Sequence, residues 1–174
     1  PVCISFGSMV NKDAEKIDAI IRESLKRTNN RGILLSGWGS THRESTGDLL
    51  YLESAPHDWL LPKCKMLIHH GGAGTTSAAL HAGIPQIVIP FMADQPFWGS
   101  RVHAVGVAPG PIRVSQLSVK KMVRAMTEAE SKAILERAQV TGQRIRGEDG
   151  VGEAARLVEA YAAAYQNSPR FFKV

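Results

Sequence analysis

The run of residues from His69 to Thr76 concentrates glycine, histidine and threonine directly after a short apolar segment. Glycines let backbone N–H groups approach a ligand closely, and a helix that follows adds its positive end. Phosphate is the ligand that suits such a loop. The run lacks the Gly-Lys-Ser/Thr ending of an ATPase loop and the Gly-x-Gly-x-x-Gly spacing of a nicotinamide-binding domain. The glycines alone are equally compatible with a plain tight turn, whereas a neighbouring histidine and two threonines favour phosphate.

Two adjacent histidines, His69 and His70, open this run. Successive side chains of a strand point to opposite sides, so one ring is expected to pack inward while the other faces the loop. Further potential zinc ligands are present at His57, Cys64 and His81, but none has the spacing of a zinc site. The sequence also contains no Asp-x-Asp. We therefore expect no metal site.

The elements that position these residues follow from the apolar pattern. Short apolar runs alternate with helical patterns, which is typical of a parallel sheet covered by helices on both faces. The predicted strands are residues 2–6, 33–36, 49–53, 66–69 and 86–89, with a sixth short strand at 106–108. Helices are predicted to begin near residues 11–13, 57, 75–76, 94, 119, 131 and 151. The predicted fold class is α/β, a Rossmann-like doubly wound sheet with a C-terminal helical segment.

The loops after the five main strands carry the residues with chemical potential. In an open parallel sheet, ligands bind outside the carboxyl ends of the strands, where the strand order reverses. The five loops contain Ser5 to Ser8, Ser36 to Gly39, Glu53 to His57, His69 to Thr76, and Pro90 to Gln95. We expect them to form one rim.

The composition limits the classes of protein to which this chain can belong. The chain has 174 residues, 44% of them hydrophobic, which suits a single domain without stabilising disulfides. Cys3 and Cys64 are interpreted as buried thiols, so a cytoplasmic protein, at most peripheral to membranes, is expected. The formal net charge is +5, and the basic residues concentrate in the last third of the chain. No aromatic residues interleave them, which argues against nucleic acid and favours a solvated helix face, with weak contact to an anionic membrane as the alternative.

Five ordered motifs resemble the C-terminal domain of family 1 glycosyltransferases, and within them the sterol 3-β-glucosyltransferase branch of fungi and bacteria. The motifs are Phe6-Gly7-Ser8, Ser36-Gly37-Trp38-Gly39, Pro56-His57-Asp58-Trp59-Leu60, the run His69 to Thr76, and Gly83 to Trp98. The similarity implies the C-terminal half of a GT-B glycosyltransferase. Residues 1–165 would hold the nucleotide-sugar donor, residues 166–174 would form a tail, and an N-terminal acceptor-binding domain would lie outside this chain.

The resemblance also implies the roles of residues on the rim. The predicted diphosphate contacts are Ser8, His70, Gly72, Gly74, Thr75 and Thr76. Asp94 and Gln95 correspond to the pair that holds the sugar hydroxyls, and a carboxylate beside an amide suits vicinal hydroxyl groups. An alternative for Asp94 is an N-cap of the following helix, and both roles are compatible.

The nucleoside site departs from the better-known plant branch of the family. Ser54 stands where that branch has the tryptophan that stacks on uracil, and Ala78 stands where it has the ribose-binding glutamate. The residues predicted to contact the nucleoside are Ser36, Gly37, Trp38, Ala55 and His57. For Trp38, a packing role is equally compatible with the sequence. The sequence does not identify the residue that binds the ribose.

Transfer in the resembling family inverts the anomeric centre by direct attack of an acceptor hydroxyl. The resemblance places the base, a histidine partnered by an aspartate, in the other domain, so no catalytic residue is expected here. This chain would bind UDP-glucose without cofactor or metal and would not turn it over alone. The acceptor would be a sterol or another lipophilic or phenolic alcohol. A nucleotide-sugar epimerase and a non-catalytic nucleotide-binding module are the alternatives.

Overall fold

Five parallel strands form a single sheet in a computed structural model that describes residues 1–6, 14–35, 45 and 47–167. The strands are β1 (Val2–Ser5), β2 (Gly32–Leu35), β3 (Leu49–Leu52), β4 (Met66–His69) and β5 (Gln86–Val88). Their order across the sheet is β3-β2-β1-β4-β5. The chain therefore winds outward from β1 in one direction and resumes at β4 in the other. This reversal between β1 and β4 is where an open α/β sheet binds its ligands.

Seven α-helices follow or flank these strands in the described residues. They are α1 (Ala14–Arg27), α2 (His57–Leu60), α3 (Ala73–Ala82), α4 (Gln95–Val105), α5 (Val119–Ala129), α6 (Lys132–Arg146) and α7 (Gly150–Asn167). Two short 3₁₀ turns lie at Leu61–Lys63 and Val114–Gln116. The helix α7 extends into the tail that was predicted from residue 166. None of the described helices has the length and apolarity required to span a membrane.

The core lies on both faces of the sheet because alternate residues of a strand point to opposite faces. On one face, Val2 and Ile4 pack with α1 and with Met122 and Met126 of α5. On the other face, Cys3 and Leu67 pack in a second cluster that contains Leu60 and Leu61. All residues of β1 and β4 are buried, as expected for central parallel strands. Helices therefore cover both faces, and the predicted doubly wound fold is confirmed.

The two cysteines are buried free thiols, as predicted. Both belong to the second core cluster, and the thiol of Cys64 donates a hydrogen bond to the carbonyl of Leu60 at 3.4 Å. The neighbouring Cys64 and burial raise the pKa of the Cys3 thiol well above its ordinary value. The Cys3 thiol is therefore protonated at neutral pH.

Two predictions about elements are wrong. Residues 106–108 do not form a sixth strand, because Gly106 ends α4 with a φ of 85° and the N–H of Val107 bonds back to Val102. The helix α3 begins at Ala73, earlier than predicted, since Gly72 already takes the extended N-cap conformation. Large apolar residues of α7, including Val158, Tyr161 and Tyr165, are exposed in the described structure.

Candidate functional site

The loops after β4 and β5 meet at the switch point of the sheet. β4 lies beside β1, with Ser5 paired to His69, and β5 lies on the other side of β4. Gly71 packs against the start of α4, where an added Cβ would lie 3.0 Å from the carbonyl oxygen of Gln95. The loop after β4, with its predicted phosphate-binding residues, and the loop after β5, with its predicted sugar-binding residues, thus share one end of the sheet.

His69 and His70 diverge as predicted. His69 is fully buried, and its Nε2 lies 3.0 Å from Oε1 of Gln86. Its Nδ1 accepts a hydrogen bond from the N–H of Gly71 at 3.2 Å, so the proton of the neutral ring resides on Nε2. Burial, with a smaller contribution from His70, lowers the pKa of His69 to about 3. His69 is therefore neutral, and its hydrogen bond with Gly71 holds the beginning of the glycine loop in place.

His70 faces the loop and is half-buried. An added Cβ at Gly72 would lie 2.5 Å from its Nε2, so the ring lies directly against the start of α3. Burial lowers the pKa of His70, whereas the backbone of Ser5 and the charge of Asp94 act in the opposite direction. Its buried Nδ1 has no partner at hydrogen-bonding geometry among the described residues. A ring with such placement can present an N–H to an anion at the helix start.

The start of α3 offers main-chain donors. Gly72 is the N-cap, and the N–H of Thr76 makes a bond to its carbonyl at 2.9 Å. The N–H groups of Ala73, Gly74 and Thr75 come before that bond and have no acceptor within the helix. They lie at the positive end of the helix dipole, where an anion is stabilised. An added Cβ at Gly74 would meet no atom within 4 Å, so the approach is open.

The structure separates the two predicted threonines. Thr75 is half-buried at the helix start. Thr76 is 1% exposed, and its Oγ1 has no hydrogen-bond partner among the described residues. Thr75 is consequently the threonine that the surface of the loop displays, whereas Thr76 lies within the packed part of α3.

The loop after β5 is built around Gln95. This residue is 7% exposed, and its Oε1 accepts hydrogen bonds from the N–H groups of Phe91 at 2.8 Å and Met92 at 3.1 Å. Ala93 adopts a φ of 53°, a left-handed conformation that costs about 1 kcal/mol or more in a residue with a Cβ. The side chain of Gln95 therefore shapes the loop from within and stabilises its strained turn.

Asp94 is exposed at the tip of the same loop. It occupies the N-cap position of α4, but its side chain makes no capping hydrogen bond. Its Oδ2 instead accepts a hydrogen bond from Nε1 of Trp98 at 2.8 Å. This bond orients the carboxylate while leaving it accessible, which is what a ligand for sugar hydroxyls requires.

The predicted nucleoside residues are only partly within the described structure. Ala55 and His57 are half-buried after β3, and His57 is the first residue of α2. Because α2 follows β3, a parallel strand of the same sheet, His57 lies at the same edge as the loops after β4 and β5. Ser8, Ser36, Gly37 and Trp38 lie outside the described residues. Within the described ranges, no three His, Cys, Asp or Glu side chains gather as a metal site would require.

A cleft that sequence reasoning missed lies between α2 and α3. Its volume is about 310 Å³, and it is lined by Asp58, Pro62, Gly74, Ser77, Ala78, His81 and Ala82. The available signal was the repeated spacing of small residues along α3, since Gly74, Ala78 and Ala82 recur every four residues on one helix face. This spacing alone does not predict a cleft, because the cleft forms only where α2 packs beside that face of α3.

The family of erythromycin biosynthesis protein CIII-like C-terminal domains matches residues 45–148, which is more than half of the 174-residue chain. The chain belongs to this family of glycosyltransferase C-terminal domains. The matched residues include both loops that meet at the switch point. The predicted family membership is confirmed.

Curated relatives of this glycosyltransferase domain are sterol 3-beta-glucosyltransferases. One from Arabidopsis thaliana is 44% identical over 158 residues, which are 90% of this chain and 25% of the relative. One from Penicillium rubens is 42% identical over 167 residues, which are 90% of this chain and 12% of the relative. The chain thus spans a quarter or less of the length of these two proteins.

Solved structures of glycosyltransferases share the fold. The calicheamicin glycosyltransferase CalG4 aligns with a TM-score of 0.79 at 22% identity, over 93% of this chain and 42% of that structure. SnogD from Streptomyces nogalater aligns with a TM-score of 0.74 at 24% identity, over 92% and 43%. The GT-B architecture expected from the sequence is thereby confirmed at the level of fold.

Proposed function

We propose that this glycosyltransferase domain binds a UDP-sugar, with UDP-glucose as the donor, for transfer to a sterol or another lipophilic alcohol. The observation that carries the proposal is the placement of half-buried His70 against the open start of α3 at the switch point. The ring of His70 and three main-chain N–H groups without an acceptor in the helix lie together there, at the positive end of the helix, where a diphosphate would be stabilised. The homology to sterol 3-beta-glucosyltransferases supports the choice of donor and acceptor.

The proposed chemistry assigns this domain to the leaving group. An acceptor hydroxyl attacks the anomeric carbon, a base removes the hydroxyl proton, and the bond between that carbon and the diphosphate oxygen breaks. The departing UDP gains negative charge, which fixed N–H donors stabilise without reorganising. His70 and the start of α3 would supply that stabilisation without a metal ion. We place the base outside this chain, so no residue described here is assigned to proton removal.

The sugar and the acceptor would meet at the loop after β5. The accessible carboxylate of Asp94 would accept hydrogen bonds from sugar hydroxyls. Met92 and Phe97, on either side of Asp94 in the sequence, are exposed apolar side chains. An apolar border beside the sugar-binding carboxylate suits a lipophilic alcohol better than a charged one. The cytoplasmic location, peripheral to membranes at most, stays a prediction.

Calorimetric titration of the 174-residue chain tests the proposal. UDP and UDP-glucose should each bind at one saturable site, and uridine should bind more weakly because it lacks the diphosphate. No glucoside should form when UDP-glucose and a sterol are added to the chain alone. Absence of saturable binding by UDP would contradict the proposed function, and glucoside formation by the chain alone would contradict the external base.

A further inference from the structure

The side chain of Gln86 is buried beneath the loop after β4 and has no assigned role. Gln86 is the first residue of β5 and is 0% exposed. It pairs with Leu67 of β4, so its side chain lies on the same face of the sheet as those of Leu67 and His69. Its Oε1 lies 3.0 Å from Nε2 of His69, while its Nε2 has no hydrogen-bond partner among the described residues. A buried amide with an unpaired donor adds little net stability, so stability alone does not account for a polar residue here.

The contact with Gln86 determines which nitrogen of His69 carries the proton. A neutral imidazole has one N–H and one acceptor nitrogen. Nδ1 of His69 accepts the N–H of Gly71 at 3.2 Å, so Nε2 is the donor, and the oxygen of Gln86 is its acceptor. In the other tautomer, the N–H groups of His69 and Gly71 would face each other, and the lone pair of Nε2 would face the oxygen of Gln86. Both contacts would be repulsive, so Gln86 and Gly71 together select one tautomer.

Gly71 carries this restraint to the proposed diphosphate site. Its φ is 93°, and an added Cβ would lie 2.7 Å from Cγ1 of Val88 and 3.0 Å from the carbonyl oxygen of Gln95. The turn at Gly71 directs the chain from β4 into Gly72, the N-cap of α3. The hydrogen bond between Gly71 and His69 therefore determines where the N–H groups in the first turn of α3 lie.

We propose that Gln86 is a positioning residue for the donor diphosphate: its Oε1 holds His69 in the tautomer that binds Gly71, and Gly71 in turn places the main-chain donors of α3. This inference rests on the proposed binding of a UDP-sugar. Gln86 does not contact the donor, because it is fully buried below the loop. Its loss therefore lowers the affinity for the diphosphate without removing a ligand contact, since binding must then also restore the conformation of the loop.

Nitrogen-15 spectra of the histidine rings test the first step in the parent chain. At pH 7, Nε2 of His69 should be protonated and Nδ1 unprotonated, and the two signals are assigned by their absence in His69→Asn. The amide hydrogen of Gly71 should exchange slowly with solvent because it is bonded to the ring. A ring that carries its proton on Nδ1, or that samples both tautomers, would overturn the inference whatever the variants of Gln86 show.

Gln86→Met tests the second step, because methionine has a similar length but no oxygen to accept the N–H of His69. The ring signals of His69 should move toward the average of the two tautomers, and the amide hydrogen of Gly71 should exchange faster. In calorimetric titrations, UDP should bind about threefold to tenfold more weakly, and uridine should bind as it does to the parent. Gln86→Asn keeps an amide but withdraws its oxygen by one methylene group, so it should resemble Gln86→Met and replaces it if that variant does not fold.

Ile87→Val is the matched control. It shortens a buried side chain of the same strand that points to the opposite face of the sheet. The ring signals of His69 and the affinity for UDP should both stay at the parental values, even if the melting temperature falls. An equal loss of UDP affinity in Ile87→Val would assign the effect of Gln86 to the stability of β5 and overturn the inference.

The outcomes separate this inference from the proposed function. Parental UDP affinity in the folded variants of Gln86 would overturn the positioning role alone, even if the ring signals of His69 change. Failure of the parent to bind UDP would overturn the proposed function, and the positioning role with it, even if Nε2 of His69 carries the proton.

Discussion

The loops after β4 and β5 position their ligand groups by opposite means. After β4, the buried side chain of His69 braces the chain, and the donors that face the site are main-chain N–H groups of α3. After β5, buried Gln95 holds the main chain through Phe91 and Met92, and the group that faces the site is the side chain of Asp94. Main-chain donors recognise any diphosphate, whereas a carboxylate can distinguish hydroxyl patterns. Under the proposed function, the charge of the donor and the identity of its sugar would therefore be recognised by separate loops.

The largest expected effect comes from Gly72→Ala. Gly72 has an N-cap φ of −63° that alanine tolerates, but the new Cβ would lie 2.5 Å from Nε2 of His70. The ring must move away and the methyl group covers the helix start, so UDP and UDP-glucose should both bind at least about a hundredfold more weakly. Calorimetry measures the loss, with Gly110→Ala as the control because an added Cβ there meets nothing within 4 Å. Unchanged affinity in Gly72→Ala would contradict binding of the diphosphate by the main-chain N–H groups of α3.

A smaller loss is expected from His70→Ala, which leaves the main-chain donors in place. Removing one hydrogen bond to a charged phosphate should cost about 1.5–3 kcal/mol of binding free energy for UDP and UDP-glucose. Uridine has no phosphate, so its affinity should stay at the parental value. An equal loss for uridine, measured by the same titrations, would assign His70 to folding or to the nucleoside instead.

Asp94→Ala should affect only the sugar. The loss for UDP-glucose should correspond to one hydrogen bond to a charged group, about 1.5–3 kcal/mol, while UDP stays within about 0.5 kcal/mol of the parent. Trp98→Phe removes the donor that orients Asp94 and should give a smaller loss in the same direction. If Asp94→Ala melts like the parent and binds UDP-glucose equally well, the loop after β5 does not read the sugar.

Lowering the pH should show how much His69, beneath the loop after β4, contributes to the free energy of unfolding, and this test needs no ligand. The pKa of His69 is about 3 in the folded chain against an ordinary value of 6.5, so only the unfolded chain takes up this proton between those values. The free energy of unfolding should therefore fall by about 1.4 kcal/mol for each pH unit below 6.5 on account of His69. His69→Asn keeps an acceptor for the N–H of Gly71 and should show a shallower decline in denaturant titrations at pH 7, 6 and 5. Identical declines in both proteins would contradict the assignment.

The sequence was sufficient to predict the parallel sheet and the edge at which the described loops after β3, β4 and β5 lie. Short buried strands such as Met66–His69 are visible as apolar runs, and the parallel class then places every following loop at one edge. The opposite orientations of His69 and His70 follow from strand geometry alone. Local conformation was harder to predict. The sequence pattern of residues 106–108 is typical of a strand, but Gly106 turns the chain at the end of α4 with a φ of 85°.

The remaining features depend on contacts between distant residues. Gln95 was predicted to bind sugar directly, and the structure shows its side-chain Oε1 accepting hydrogen bonds from the N–H groups of Phe91 and Met92. No sequence pattern indicates that contact. The cleft beside Gly74 likewise exists only because α2 packs next to α3. The sequence can thus suggest which side chains on the rim bind a ligand. It cannot show which ligand contacts come from the main chain and which from side chains.

The most direct test is to follow the backbone amide resonances of the ¹⁵N-labelled chain while UDP and then UDP-glucose are added. Binding through the main chain of α3 predicts that UDP moves the amide signals of Ala73, Gly74 and Thr75 most. UDP-glucose should add changes in the loop from Phe91 to Gln95 that UDP alone does not produce. Shifts that are instead spread over the basic residues of α5 and α6, with the α3 signals unmoved, would show non-specific anion binding and contradict a diphosphate site at the switch point.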